Sequence, residues 1–163
     1  MLDSVNIILS TQMEVSHFDE KSGIISAKTS WGRWYQTVAE VTIEVEVENG
    51  TRGKDVKIDI KPSRISCFVR DKEIFKGKPF DVVVEDESTW TIEDRKLIRI
   101  QLIKAFHKTK DLCWLSLLEN QYQPDPVTLH EMRKKLDLEQ FQKEVKYLFI
   151  YHHICRWLNT HFR

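Results

Sequence analysis

Between residues 40 and 102 the chain alternates apolar and polar side chains with a period of two, and few architectures tolerate that. A strand sends successive side chains to opposite faces, so this alternation separates a core face from a solvent face. In EVTIEVEV, Val41, Ile43, Val45 and Val47 point one way while Thr42, Glu44 and Glu46 point the other. VKIDIK repeats the pattern with Val56, Ile58 and Ile60, and RISCFVR with Ile65, Cys67 and Val69. PFDVVVE places Phe80, Val82 and Val84 together, and KLIRIQLIK places Ile98, Ile100 and Leu102 inward with Arg99 and Gln101 outward.

Turn residues punctuate these runs at 48–55, 61–64, 70–73, 76–79 and 85–88. At 48–50 Asn and Gly tolerate positive φ at little cost, which marks a reversal. Seven or eight short strands with no helix between them predict an all-β antiparallel sandwich. Its expected core is Ile43, Val45, Ile58, Ile65, Trp90, Ile98, Ile100 and Trp114.

After Gln123 the period changes. Leu129, Met132 and Leu136 lie three and four apart, as on one helix face. Pro126 suits a first helical turn with Asp125 as N-cap. Asp137 and Gln140 resemble a capping box that opens a second helix, with Leu138, Phe141, Val145 and Leu148 on one face. The expected organisation is an N-terminal extension at 1–17, a β-domain at 18–118, a helical appendage at 119–144 and an apolar, basic tail at 145–163.

Composition excludes several functions. The 25 Lys and Arg balance 25 Asp and Glu, whereas nucleic-acid binders carry a basic excess that displaces counterions from phosphates. Cys67, Cys113 and Cys155 are odd in number and widely spaced, which suits a reducing compartment rather than a disulfide framework. The N-terminus has an apolar knot around Val5 and Ile7–Leu9 but no basic region before it, so no signal peptide is expected. No window has the ~18–20 apolar residues that span a bilayer. His17, His107 and His130 are isolated, and His152, His153, Cys155 and His161 do not complete a tetrahedral set. Five glycines form no phosphate-cradling loop, and Cys67 reads as a small core residue. We therefore expect no catalytic residue, no cofactor and no metal.

Two stretches remain to be explained. SWGRWYQT holds Trp31, Trp34 and Tyr35 within five positions; on a strand, Trp34 and Tyr35 face opposite ways, so one packs inward and one stays available. Trp31 is expected to fold over an end of the sandwich. VEDESTWTIED is acidic and is followed by Arg95, Lys96, Arg99, Lys104, Lys108 and Lys110. It reads either as a hairpin whose charges pair across strands or as a bipolar surface that docks a partner.

Taken in order, SWGRWYQTVAEVTIEVEV, GTRGKDVKIDI, KEIFKGKPFD, ESTWTIEDRKLIRIQL and CWLSLLENQYQPDP resemble successive blocks of the CS domain of the NudC family. The similarity runs from about Phe18 to Glu144. Met13 then reads as an alternative start, with 1–12 as an extension. The tail VKYLFIYHHICRWLNTHFR departs from the family pattern and reads as a docking helix, a membrane-surface helix, or an isoform or gene-model product.

The resemblance implies a sandwich of the type shared with co-chaperones of heat-shock protein 90, and a non-catalytic role. It implies protein partners, heat-shock protein 90 and the lissencephaly-1 protein among them, in cytoplasm and at centrosomes, spindle poles and kinetochores. Partner-binding residues are expected at Trp34, Tyr35, Gln36, Thr37, Lys76, Glu93, Asp94 and Arg95. A stand-alone holdase, or an adaptor that docks through its C-terminal helix, are the alternatives. Self-association is left open by the sequence.

Overall fold

The computed structural model describes the backbone of residues 18–19, 23–105 and 112–161, and the side chains of 23–105 and 112–151. The expectations for 1–17, for His107, Lys108 and Lys110, and for the side chains of His152, His153, Cys155 and His161 lie outside the described residues.

Two antiparallel sheets form the sandwich. The larger has the strand order β1-β2-β3-β4-β9-β8 and the smaller the order β5-β6-β7. The strands are β1 (Phe18–Asp19), β2 (Ile24–Thr29), β3 (Gly32–Gln36), β4 (Glu40–Glu46), β5 (Val56–Lys61), β6 (Arg64–Val69), β7 (Lys72–Gly77), β8 (Val83–Glu93) and β9 (Leu97–Lys104). This is the all-β sandwich that the alternation predicts. Trp34 and Tyr35 lie in β3, which the short strands β1 and β2 precede.

The core lies between the sheets. Trp34, Ile43, Val45, Ile65, Cys67, Phe75, Ile98, Ile100 and Leu102 are buried there with Trp114, while Ile58 and Trp90 are partly buried against them. The smaller sheet does not cover the whole inner face of the larger one. The remainder is closed by the segment 112–122 and by Met132 of the helix.

Two expectations are corrected. Residues 85–88 do not reverse the chain. They form a bulge within β8, between the pairs Val84↔Ile103 and Thr89↔Gln101. Ser88 fills the gap in the ladder, its hydroxyl donating to Val84 O and accepting from Ile103 N. Short polar residues suit a bulge as well as a turn, and here β8 stays beside β9 on both sides of it. The inward phase before the bulge is therefore Val83, which is buried, and Phe80 is 38% exposed.

The second correction concerns the helices. A single helix, α1 (Pro126–His161), replaces the expected pair. Asp125 does cap it, its carboxylate accepting from Val127 N and Thr128 N and from the Thr128 hydroxyl. Asp137 opens nothing, because no proline or glycine interrupts residues 127–161. Leu129, Met132 and Leu136 face the sandwich as the spacing predicts, Leu136 packing with Val38 and Cys113. Leu138, Phe141, Val145 and Leu148 are exposed.

Candidate functional site

Two polar constellations lie on opposite faces of the larger sheet. The inner one begins with a lysine and a glutamine on the core phase of their strands. Lys104 follows Ile98, Ile100 and Leu102 at even spacing, and Gln36 follows Trp34. Both are 5% exposed. The Lys104 ammonium donates to Gln36 Oε1 at 2.9 Å, Thr37 O at 2.8 Å and Leu112 O at 2.7 Å. Burial pushes its pKa down to about 8, with the charges of Cys113, Glu139 and Asp81 opposing that fall. Three oxygen acceptors satisfy all three N–H groups, which is how a buried ammonium is tolerated. Glu139 of α1 accepts from Val38 N at 3.2 Å, so the same corner fixes the helix to the end of β3.

The outer constellation centres on Glu44. Its place in the alternation predicts a solvent-facing residue, yet it is 3% exposed. Register aligns Arg33, Glu44 and Arg99 in one row across β3, β4 and β9, with Tyr35, Thr42 and Gln101 in the next. Long side chains on either side close over the carboxylate. Arg33 Nε reaches Glu44 Oε2 at 2.6 Å, and Arg99 and the Tyr35 hydroxyl both reach Oε1 at 3.1 Å. Burial alone would raise the Glu44 pKa; the two guanidinium groups and the phenol outweigh it and hold the carboxyl lower than usual. Burial and the same carboxylate raise the Tyr35 phenol. Arg99 also pairs with Glu93 at 2.6 Å, and the Arg33 guanidinium lies 6.0 Å from the centre of the Tyr35 ring.

Beside this row is an open hollow of about 480 Å³, lined by Lys28, Ser30, Arg33, Glu44, Glu46 and Leu97 among others. It is open, and four of its lining side chains, Lys28, Arg33, Glu44 and Glu46, are charged. Among the described residues no group of His, Cys, Asp and Glu is placed to hold a metal. Burial pushes the Cys67 thiol up to about 12, so it is not a thiolate nucleophile at neutral pH.

The structure does not gather the eight sequence-expected contact residues into one site. Trp34 is fully buried, its indole N–H donating to Tyr122 O at 3.0 Å, and Gln36 is equally inaccessible. Both stand on the inward phase of β3 and offer little surface on the outside of the sandwich. Tyr35 and Glu93 share the outer face. Thr37 lies in the β3–β4 turn, its hydroxyl accepting from Ala39 N and Glu40 N. Asp94 and Arg95 form the exposed β8–β9 turn with φ of 49° and 56°. Lys76 is exposed on β7, in the other sheet. Trp31 packs against Phe75 and Tyr122, with ring centres 5.1 and 5.2 Å away. Sequence reasoning missed Arg33, Glu44 and Lys104; for Lys104 the signal was its inward phase.

Comparison with known proteins bears on this face. The CS domain profile matches residues 30–104, which run from the turn before β3 to the end of β9. Rat NudC domain-containing protein 2 is 47% identical over 127 residues, covering 78% of this chain and 80% of the relative. The chain belongs to the NudC family. A nuclear movement protein nudc of Schizosaccharomyces pombe is 33% identical over 75 residues, 44% of this chain and 45% of that one. The solution structure of the CS domain of human KIAA1068 protein has the same fold, with a TM-score of 0.53 and 21% identity over 61% of this chain and 82% of that one. NudC-family membership makes the sandwich a protein-binding module of co-chaperone type. No helix among the described residues is long and apolar enough to cross a membrane.

Proposed function

We propose that this chain is a non-catalytic co-chaperone that binds folded or partly folded proteins through the outer face of its larger sheet. Its partners are heat-shock protein 90 and the lissencephaly-1 protein, met in the cytoplasm and at centrosomes, spindle poles and kinetochores. The observation that carries this reading is the buried Glu44 carboxylate, which fixes Arg33, Arg99 and Tyr35 in a row across three strands. Tyrosine and arginine are enriched at protein interfaces because they offer area and directional hydrogen bonds together. Held in place before binding, they lose less side-chain entropy when a partner arrives. The open, charge-lined hollow supports a protein surface rather than a small substrate, which would be enclosed by a deeper pocket.

The test is binding of purified full-length chain to each of the two partners, with Tyr35→Ala and Arg33→Ala compared with the parent. Each variant should weaken binding about tenfold or more, the size expected for an anchoring aromatic or arginine. Failure of the well-folded parent to bind either partner removes both named partners. Full binding by both variants moves the site off this face. Protection of a heat-denatured protein by the chain alone, without either partner, would support the holdase reading instead.

A further inference from the structure

Lys28 extends the row that Glu44 organises, and its charge has no answer within the fold. It lies directly opposite Arg33 in the β2–β3 register, so two cations face each other across adjacent strands. Like charges in that position are destabilising. Arg33 is compensated by Glu44 at 2.6 Å, but among the described residues no side chain pairs with the exposed Lys28 ammonium. Glu46 shares the lining of the hollow with Lys28 without coming within ion-pair reach. We infer that the hollow beside Lys28 and Arg33 seats one carboxylate of a bound protein, the side chain of an aspartate or glutamate. The inference rests on the outer face being the binding face, and it names the chemistry which that face selects.

Charge sets the number of carboxylates. Lys28, Arg33 and Arg99 are the cations of this row, and Glu44 and Glu93 are the acids that meet Arg33 and Arg99 at 2.6 to 3.1 Å. Three cations against two acids leave one positive charge over, and it falls at Lys28, on the strand furthest from Glu93. A single carboxylate balances it. A phosphate group carries about 1.5 to 2 negative charges at neutral pH, and Glu46 on the lining would repel the excess.

The donors match the same group. Lys28 offers the three N–H groups of an ammonium. Arg33 uses its Nε on Glu44, and its terminal NH2 groups have no partner among the described residues. The Ser30 side chain belongs to the same lining. A carboxylate accepts on both of its oxygens, so donors from two strands can hold it together, and bonds between charged groups are the stronger kind. Glu44 already fixes Arg33 before a partner arrives, which lowers the entropy lost on binding. A charge seat of this sort sets register and partner choice more than it adds affinity, because a partner without an acid at that point leaves the two cations facing.

Titration of the full chain with short probe peptides, followed by amide chemical shifts in NMR at low ionic strength, tests this. The probe is a capped Ser-Glu-Ser peptide, with Ser-Gln-Ser and Ser-phosphoserine-Ser as controls. The glutamate probe should shift the amides of Lys28, Ser30 and Arg33, and the glutamine probe should not. Lys28→Glu should weaken the glutamate probe about tenfold, and Lys28→Arg should keep it. Lys28→Gln should melt no lower than the parent, since it removes a charge that faces another. No shift with the glutamate probe, equal shifts with the glutamine probe, tighter binding of the phosphoserine probe, or unchanged binding by Lys28→Glu each overturns the inference. So does a lower melting temperature in Lys28→Gln, which would show that the free fold uses this charge. The sheet-face reading is scored separately, by Tyr35→Ala and Arg33→Ala against whole partners. A face that binds them yet ignores the charge at Lys28 keeps that reading and loses this one, whereas a probe that seats at Lys28 when neither partner binds removes only the named partners.

Discussion

The side-chain amide of Gln36 binds the backbone of Trp114 twice, accepting from its N–H and donating to its carbonyl, each at 2.9 Å. This is the pair of bonds an adjacent strand would make, supplied by one side chain. It ties the end of β3 to a segment that belongs to no strand, and the same oxygen accepts from Lys104. Gln36→Leu keeps the volume but strips partners from two buried backbone groups and one ammonium. Leaving such groups unpaired costs about 1–3 kcal/mol each when desolvation is not relieved. The substitution should lower stability by about 3 kcal/mol or more in urea unfolding; a loss below about 1 kcal/mol would mean that water replaces the amide.

Lys104 and Cys67 give the sandwich two opposed responses to alkali. The Lys104 pKa is about 8 when folded and about 10.4 when unfolded, so between these values the unfolded chain holds more protons and stability rises with pH. Cys67 titrates near 12 when folded and about 8.5 when unfolded, so from 8.5 upward the folded chain holds more protons and stability falls. Lys104→Met should therefore lose stability from pH 8 to 10 more steeply than the parent. Cys67→Ala should gain relative to it over the same range, by up to about 2 kcal/mol. Parallel pH curves for all three chains would show that neither group titrates as its burial requires.

Glu44 acts at the acid end. Its folded pKa is lowered, so its contribution is present above the unfolded value of about 4.3 and is lost as pH falls through the folded one. Glu44→Gln keeps the shape but removes the charge that Arg33 and Arg99 meet. It should cost about 2 kcal/mol at neutral pH and flatten the approach to acid unfolding. Equal acid midpoints for the parent and Glu44→Gln would place the acid sensitivity elsewhere.

Much of the fold is legible in the sequence because its strands obey one rule. Ile43, Ile98 and Ile100 are buried where period two places them, and Leu129, Met132 and Leu136 meet the sandwich where period three to four places them. The rest depends on neighbours that only the fold supplies. Glu44 is polar and on the outer phase, and its burial comes from the reach of Arg33, Tyr35 and Arg99 on adjacent strands. Gln36 and Lys104 were on the inner phase, but a residue-type rule reads a lysine at a strand end as solvated. EDES at 85–88 carries turn chemistry that serves equally for a bulge. The break expected at Asp137 fails because local capping chemistry is weak against an uninterrupted run of helix formers.

Gly32 opens β3 at a point where the backbone of β4 leaves no room for a side chain. Its φ is +150°, and a Cβ there would stand 2.0 Å from Glu44 O and 3.0 Å from Glu44 C. Both atoms are backbone of the central strand β4, so no side chain can swing aside. Alanine must then push β3 away from β4, and that loosens the Arg33–Glu44 bond on one face and the Trp34–Ile43 pairing on the other. Gly53 is the control, since a Cβ at that position meets nothing within 4 Å. Gly32→Ala should cost about 3 kcal/mol or more, combining backbone strain with the clash, while Gly53→Ala should stay within about 0.5 kcal/mol. If Gly32→Ala instead melted with the parent and kept its affinity for partners, the close contact between these strands would not be what holds the Glu44 row in place.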